Sequence, residues 1–478
     1  MGAHVDSNRR ASSREHAAAP ARRVALEVLV ETERRGAYTR EVLKSSTAYR
    51  QLDSRDQAFA QRLALGVTAT VGCLDDLLNQ FLSKPGKVSP RVRMALRIAI
   101  FELLYLATPS EVAVSQGVEL VRSQASAAAP LANAVLRRVA EGAAGFLVAD
   151  DAAPEHRAVV RAARRSGLPV WLVRELMASL DGGCFEALVG SQLEPAPVAF
   201  HLHPACDAES LVVDSPSPFP GCVVPAHPGA LLRSGLLDTA HAVASDEHAQ
   251  LVATMVTQEG SCLEIGAGRG TKSFVIFAQA RRAGIEGRRH VAVDLFEQKC
   301  AQNLERLHAA GFNDVRAFAG DATDLSSVLE PLDQGGAPAL FDVVLLDAPC
   351  SGTGTMRRHP EIPWRLNRSD CQRDLPALQL SLLVAASARV APGGSLLYAT
   401  CSVLAAENEG VVDAFLASEA GSGFQLVPVT EAPLFQLEAY QGARELAAGA
   451  MTARGMLRTS PARSAADGHF CARLVRLS

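Results

Sequence analysis

Two cysteines stand where a chain puts groups that react. Cys350 closes the run FDVVLLDAPC and Cys401 closes SLLYATC, so each thiol lies just past an apolar stretch of strand length. A thiolate is a strong nucleophile that forms covalent intermediates. A free thiol titrates near ~8.5, so a site that uses one must favour its anion. A second set of residues has the character of a ligand cradle. Gly266, Ala267, Gly268, Arg269, Gly270, Thr271 and Lys272 follow the apolar SCLEI, and glycines there let backbone amides approach a ligand at the start of a helix. Asp294 ends HVAVD, Asp321 follows VRAFAG and Asp347 ends FDVVLLD. Asp294 is placed to accept hydrogen bonds from ribose hydroxyls, which suits a nicotinamide dinucleotide as well as S-adenosylmethionine. Asp321 is placed to accept from an adenine amine, the bland alternative being a helix cap. Two thiols after neighbouring strands, beside such a cradle, favour a methyltransferase over a dehydrogenase, which would leave both thiols without a purpose.

These residues need a scaffold that brings strand ends together. From about residue 246 the chain alternates short apolar strands (SCLEI, HVAVD, VRAFA, FDVVLLD, SLLYATC) with helical stretches, the rhythm of a doubly wound, Rossmann-like α/β domain with a parallel sheet over 246–478. Ligands of such sheets bind beyond the carboxyl ends of the strands, where all of these residues fall. Ahead of it, residues 22–142 read as all-α: apolar residues recur at helical spacing in RVALEVLVETERR, DQAFAQRLALGVTATVGCLDDLLNQFL and VRMALRIAIFELLYL. Residues 143–245 read as a small α+β connector, and residues 1–21 as a disordered tail.

Composition narrows the class further. The chain has 478 residues, 48% hydrophobic and 21% charged, enough for two to four domains with sizeable cores. No run of 18 apolar residues marks a membrane span, and the N-terminal stretch lacks the apolar centre of a secretory signal. None of the ten cysteines forms a CxxC pair, so reduced cytoplasmic thiols are expected and a metal is not. Residues 1–150 hold 20 Lys and Arg against 15 Asp and Glu, a net +5, whereas the rest holds 27 against 36, a net −9. A basic helical third on an acidic body fits an RNA-gripping module attached to an enzyme. A solvated Arg-rich face explains the charge alone equally well.

At DAPCSGTGTMRRHPE, YATCSVLAAENEGVV and DGHFCARL the sequence resembles the RNA cytosine-5 methyltransferases of the Sun/Fmu family, in particular bacterial members that act on 16S (small-subunit) ribosomal RNA. GVTATVGCLDDLL, LRIAIFELLYL, VAVSQGVELVR and ANAVLRRV are similar to the NusB-like RNA-binding domain of those enzymes. The resemblance spans nearly the whole chain and implies S-adenosylmethionine as methyl donor, RNA as partner, and a monomer. It implies Cys401 as nucleophile, Cys350 as the thiol that assists product release, residues 266–272 as the cofactor loop, and Asp294, Asp321 and Asp347 as acids beside it. Carbon 5 of cytosine is too weak a nucleophile to take a methyl group unaided. Addition of the Cys401 thiolate to carbon 6 would activate it, with Lys272 as the nearest cation and Asp347 reaching the base. Departures are Arg269 where the family has proline, His201-Leu202-His203 for Arg-Val-Asn, Ser245 for Gln and Ser115-Gln116 for Asn-Glu. Alternatives are the same chemistry on tRNA or another RNA, and a non-catalytic RNA-binding assembly factor.

Overall fold

A computed structural model describes residues 18–206, 218–333, 337–461 and 465–477. Of the tail expected over 1–21, residues 1–17 lie outside the described residues, and a helix opens at Pro20. The chain forms two compact units.

The first unit comprises Met1–Glu175, Val189–Glu194 and Met356–Arg365. Its helices start and stop where local chemistry dictates. Pro20 opens Pro20–Arg35 and Gly36 closes it at φ 62°. Asp53 caps Ser54–Phe81 by accepting from Asp56 N. Pro90–Tyr105, Ser110–Gln124 and Ala129–Val148 complete the main bundle around Leu63, Leu74, Leu77 and Phe101. The Arg22 guanidinium forms a buried, bidentate pair with Glu102 at 2.8 and 2.6 Å. A segment far away in sequence joins these helices. Trp364 donates from Nε1 to Ala69 O (2.7 Å), Glu361 accepts from Thr39 N (2.6 Å), and Arg365 donates to Gly36 O and Ala37 O (3.0 and 2.8 Å). Gly72 makes room for the indole: a Cβ there would lie 2.1 Å from Trp364 Cζ3.

The second unit holds Leu176–Leu188, Pro195–Thr355 and Leu366–Ser478, so the stretch 143–245 is divided between the two units. A small antiparallel sheet, β2-β1-β3, is built from β1 (Phe200–Leu202), β2 (Cys222–Val223) and β3 (Ala242–Ala244). The five expected strands follow as β4 (Cys262–Ile265), β5 (His290–Asp294), β6 (Val315–Ala319), β7 (Phe341–Asp347) and β8 (Val390–Thr400). They are mutually parallel in the order β6-β5-β4-β7-β8. Three strands that sequence patterning did not predict extend the sheet: β9 (Phe424–Val427), β10 (Leu457–Arg458) and β11 (Phe470–Arg476). β11 runs antiparallel to β8 and pairs Phe470 with Thr400, so the expected parallel sheet is a mixed, eight-stranded one. Both faces are covered. Leu263, Val344, Leu346 and Tyr398 fill one core and Cys262, Val343, Leu345 and Leu397 the other, the alternation that a strand imposes. The strand order reverses between β4 and β7, the place where such folds bind ligands.

Candidate active site

The cradle lies directly after β4. Gly266, Gly268 and Gly270 have φ of 79°, 57° and 78°, a left-handed backbone that glycine adopts without strain. At Gly266 a Cβ would also stand 2.2 Å from Asp347 O, and at Gly270 2.2 Å from Asn303 Oδ1, so the loop presents bare backbone. Gly270 caps the Thr271–Arg282 helix, whose free amides form a partial positive charge beside the loop. Beneath it, Glu264 accepts from Ser273 Oγ at 2.6 Å and meets His290 Nε2 at 3.0 Å, which ties β4 to that helix and to β5. Asp294, 7% exposed, accepts from Gly268 N (3.0 Å) and Phe296 N (3.1 Å) with Lys299 Nζ at 3.6 Å. Each of its oxygens keeps a lone pair for a further donor. A left-handed loop, a helix N-terminus and a strand-end carboxylate fit the methionine and ribose parts of S-adenosylmethionine. Arg269 is exposed; its positive neighbour is Arg306, which donates to Thr271 Oγ1 at 3.0 Å. Asp321 is exposed, and its Oδ1 accepts from Thr323 N and Oγ1 at 2.9 and 2.8 Å, so the capping role weighed from sequence is present.

Lys272, on the first turn of the helix, pairs with Asp347 at 2.6 Å. Burial works against its charge, but Asp347 and the neighbouring Cys401 together outweigh it and hold the ammonium above its ordinary value. A cation thus serves carboxylate and thiol together, and Asp347 is already engaged before any base arrives.

The two thiols meet. Asp347 on β7 pairs with Ala399 on β8, and three residues beyond one and two beyond the other, Cys350 Sγ and Cys401 Sγ are 3.3 Å apart. The hydrogen bond to Cys401, then burial and the Glu407 carboxylate, push the Cys350 thiol well above its ordinary range. Cys350 thus favours its protonated form, and either sulphur can be the donor in the contact. The loops carrying them interlock: Gly354 N donates to Cys401 O (2.9 Å) and Gly468 N to Gly354 O (3.0 Å). A Cβ on Gly354 would fall 2.0 Å from Gly468 O. Behind the sulphurs lies a buried cluster that sequence reasoning passed over: Ser351, Thr353, Ser402, Glu407 and Gln379. The signal lay in polar residues flanking both thiols and in the acidic Glu407-Asn408-Glu409 run. The histidines that replace the family's Arg and Asn are core residues. His201 accepts from Arg282 at 3.1 Å and meets Gln250 at 2.8 Å, and burial and Arg282 lower it to about 3. Among the described residues no group of His, Cys, Asp or Glu is arranged to hold a metal ion.

A doubly wound sheet with a glycine cradle at its switch point and acids at successive strand ends defines a Rossmann-like methyltransferase. Residues 254–475 match the family described as 16S rRNA methyltransferase RsmB/F, and residues 19–141 match the NusB family. A putative methyltransferase of Mycobacterium tuberculosis is 33% identical over 421 residues, covering 82% of this chain and 86% of that protein. Ribosomal RNA small subunit methyltransferase B of Sodalis glossinidius is 30% identical over 404 residues, covering 79% and 88%. Among solved structures, the protein PH0851 shares the fold at a TM-score of 0.70 with 19% identity, over 95% of this chain and 98% of that one. The chain belongs to the RsmB/F family of RNA methyltransferases.

Proposed function

We propose that this protein methylates carbon 5 of a cytosine in 16S ribosomal RNA, using S-adenosylmethionine and a covalent bond from Cys401 to carbon 6. The observation that carries the reading is the 3.3 Å approach of Cys350 and Cys401 sulphurs at the ends of adjacent strands, beside the glycine cradle. The relative from Sodalis glossinidius, named as a ribosomal RNA small subunit methyltransferase, supports the substrate class.

The chain's own groups divide the work. Residues 266–272 and Asp294 would hold the donor, Asp321 would accept from its adenine amine, and S-adenosylmethionine would supply the methyl group. Cys401 attacks as a thiolate, with Cys350 Sγ 3.3 Å away and the Lys272 ammonium among its charged neighbours. The new C6–S bond turns the ring into an enamine whose carbon 5 carries the electron pair that takes the methyl group. Asp347, held by Lys272, accepts from the exocyclic amine of the base. A base, supplied by solvent water, takes the C5 proton; the C–H electron pair re-forms the C5–C6 double bond and the C6–S pair returns to Cys401. Cys350, still protonated, hydrogen-bonds the departing sulphur and eases its expulsion. The cytosine must leave its stack to reach this site, which costs a few kcal/mol and least for an unpaired base. A loop or junction of folded RNA is the expected target, gripped through phosphates by the basic helical unit.

Bisulfite mapping of total RNA from a deletion strain and its complemented parent tests the reading. One 16S cytosine should lose protection on deletion and regain it with the wild-type gene but not with Cys401→Ala. A site lost from tRNA instead would reassign the substrate, and an unchanged map would end the proposal.

A further inference from the structure

Glu407 is fully buried, yet it touches neither thiol. Its Oε2 accepts from Ser351 N at 2.7 Å and from Gln379 Nε2 at 3.0 Å, and its Oε1 accepts from Ser402 Oγ at 2.8 Å. Ser351 follows Cys350 and Ser402 follows Cys401 in the chain. Gln379 Nε2 also donates to Pro349 O at 2.9 Å, on the other side of Cys350. The Glu407 backbone is itself pinned, since Tyr398 on β8 donates its hydroxyl to Glu407 O. One carboxylate therefore ties together the residues flanking both sulphurs.

The chemistry of the donors suits a carboxylate. Ser351 N–H and the Nε2 of Gln379 can only donate. The Ser402 oxygen accepts from Leu404 N at 3.1 Å, which leaves its proton for Glu407. An amide in place of the carboxylate would leave one acceptor oxygen where two now serve three donors. Burying polar groups costs stability, and Gln379 Oε1 in this network lacks a hydrogen-bond partner among the described residues, so the network's placement at these two loops calls for a role there.

We infer that Glu407 is a positioning residue for methyl transfer: it holds the Cys350 and Cys401 loops in one register, so that nucleophilic attack and product release depend on it together. This rests on the proposed cytosine chemistry. A shift of about 1 Å at reacting atoms can cost roughly 100-fold in rate, whereas the cradle shares no hydrogen bond with Glu407 and should bind its ligand unchanged.

The test compares full-length wild type, Glu407→Gln and Ser402→Ala on transcribed 16S ribosomal RNA. It measures kcat, KM for S-adenosylmethionine, thermal melting, and the rate of adduct formation on RNA carrying 5-fluorocytidine, where release is blocked. With melting and KM retained, Glu407→Gln should lower kcat and adduct formation roughly 100-fold, and on ordinary RNA the adduct that does form should persist. Ser402→Ala should move the same readouts in the same direction by less. An unchanged kcat in folded Glu407→Gln overturns the inference. If that variant does not fold, an unchanged kcat in Ser402→Ala overturns it instead. A wild type that forms no adduct on 5-fluorocytidine RNA sinks the cytosine chemistry itself, a different failure.

Discussion

With 3.3 Å between their sulphurs, Cys350 and Cys401 cannot be treated as independent thiols. In the proposed chemistry Cys350 would act on its partner twice, before attack and again when the sulphur leaves. The two substitutions should therefore separate. Cys401→Ala should abolish methylation and form no RNA adduct. Cys350→Ala should still attack and methylate but release slowly, so denaturing electrophoresis after incubation with RNA and S-adenosylmethionine should show an accumulating protein–RNA band. The opposite pattern would exchange the two roles. Asp294→Ala removes the carboxylate that braces Gly268 and, in the proposed binding mode, would accept from the ribose. A hydrogen bond to a charged group contributes about 1.5–3 kcal/mol, so calorimetry should show S-adenosylmethionine binding roughly 10- to 150-fold weaker. Cys401, Cys350, Lys272 and the strand-end acids could all be named from sequence because each sits beside a glycine turn or at the end of an apolar run. Glu407 had only the weak signal of its acidic run, because its partners lie at 351, 379 and 402 and only folding brings them together.

Elements place these residues with little slack. Adjacent parallel strands β7 and β8 run in fixed register, and the loops leaving them interlock through backbone hydrogen bonds at Gly354. A methyl group on Gly354 would strike the Gly468 carbonyl at 2.0 Å, and backbone cannot step aside as a side chain can. Gly354→Ala should cut methylation sharply while S-adenosylmethionine binding survives; full activity would show that the interlock is dispensable. The segment Met356–Arg365 follows the Thr353–Thr355 turn directly, yet packs within the helical unit. Gly72→Ala puts a methyl group 2.1 Å from the Trp364 ring. Overpacking of this kind costs about 1–3 kcal/mol. Thermal melting of Gly72→Ala should fall accordingly, and an unchanged transition would mean that the indole is free to move aside.

For the whole molecule, the uneven charge is the property that bears on RNA. Removing residues 1–142 would strip Met356–Arg365 of the helices it packs against, so truncation confounds folding with RNA binding. Exposed Lys84, Lys87, Arg137 and Arg138 allow a gentler test. Changing all four to Gln should weaken RNA binding and flatten its dependence on salt, by roughly 0.7–0.9 in log–log slope for each phosphate that is no longer neutralised. An unchanged slope would mean that these four side chains do not contact RNA phosphates. No helix among the described residues is long and apolar enough to cross a membrane.

By itself the sequence determined the helical first third, the five parallel strands and the residues at their ends, because periodicity and glycine placement are local properties that the chain carries wherever it folds. It missed β11: FCARLVR shows no regular alternation, since a strand buried on both faces need not have one, and its pairing with β8 is a matter of register. Only the tertiary structure decided that the two thiols touch, that Lys272 is committed to Asp347, that His201 is a core residue and that Trp364 is held by the helical unit. Each of these depends on partners tens or hundreds of residues apart. Their meeting is set by how the sheet and helices close over their cores, which no window of local sequence contains.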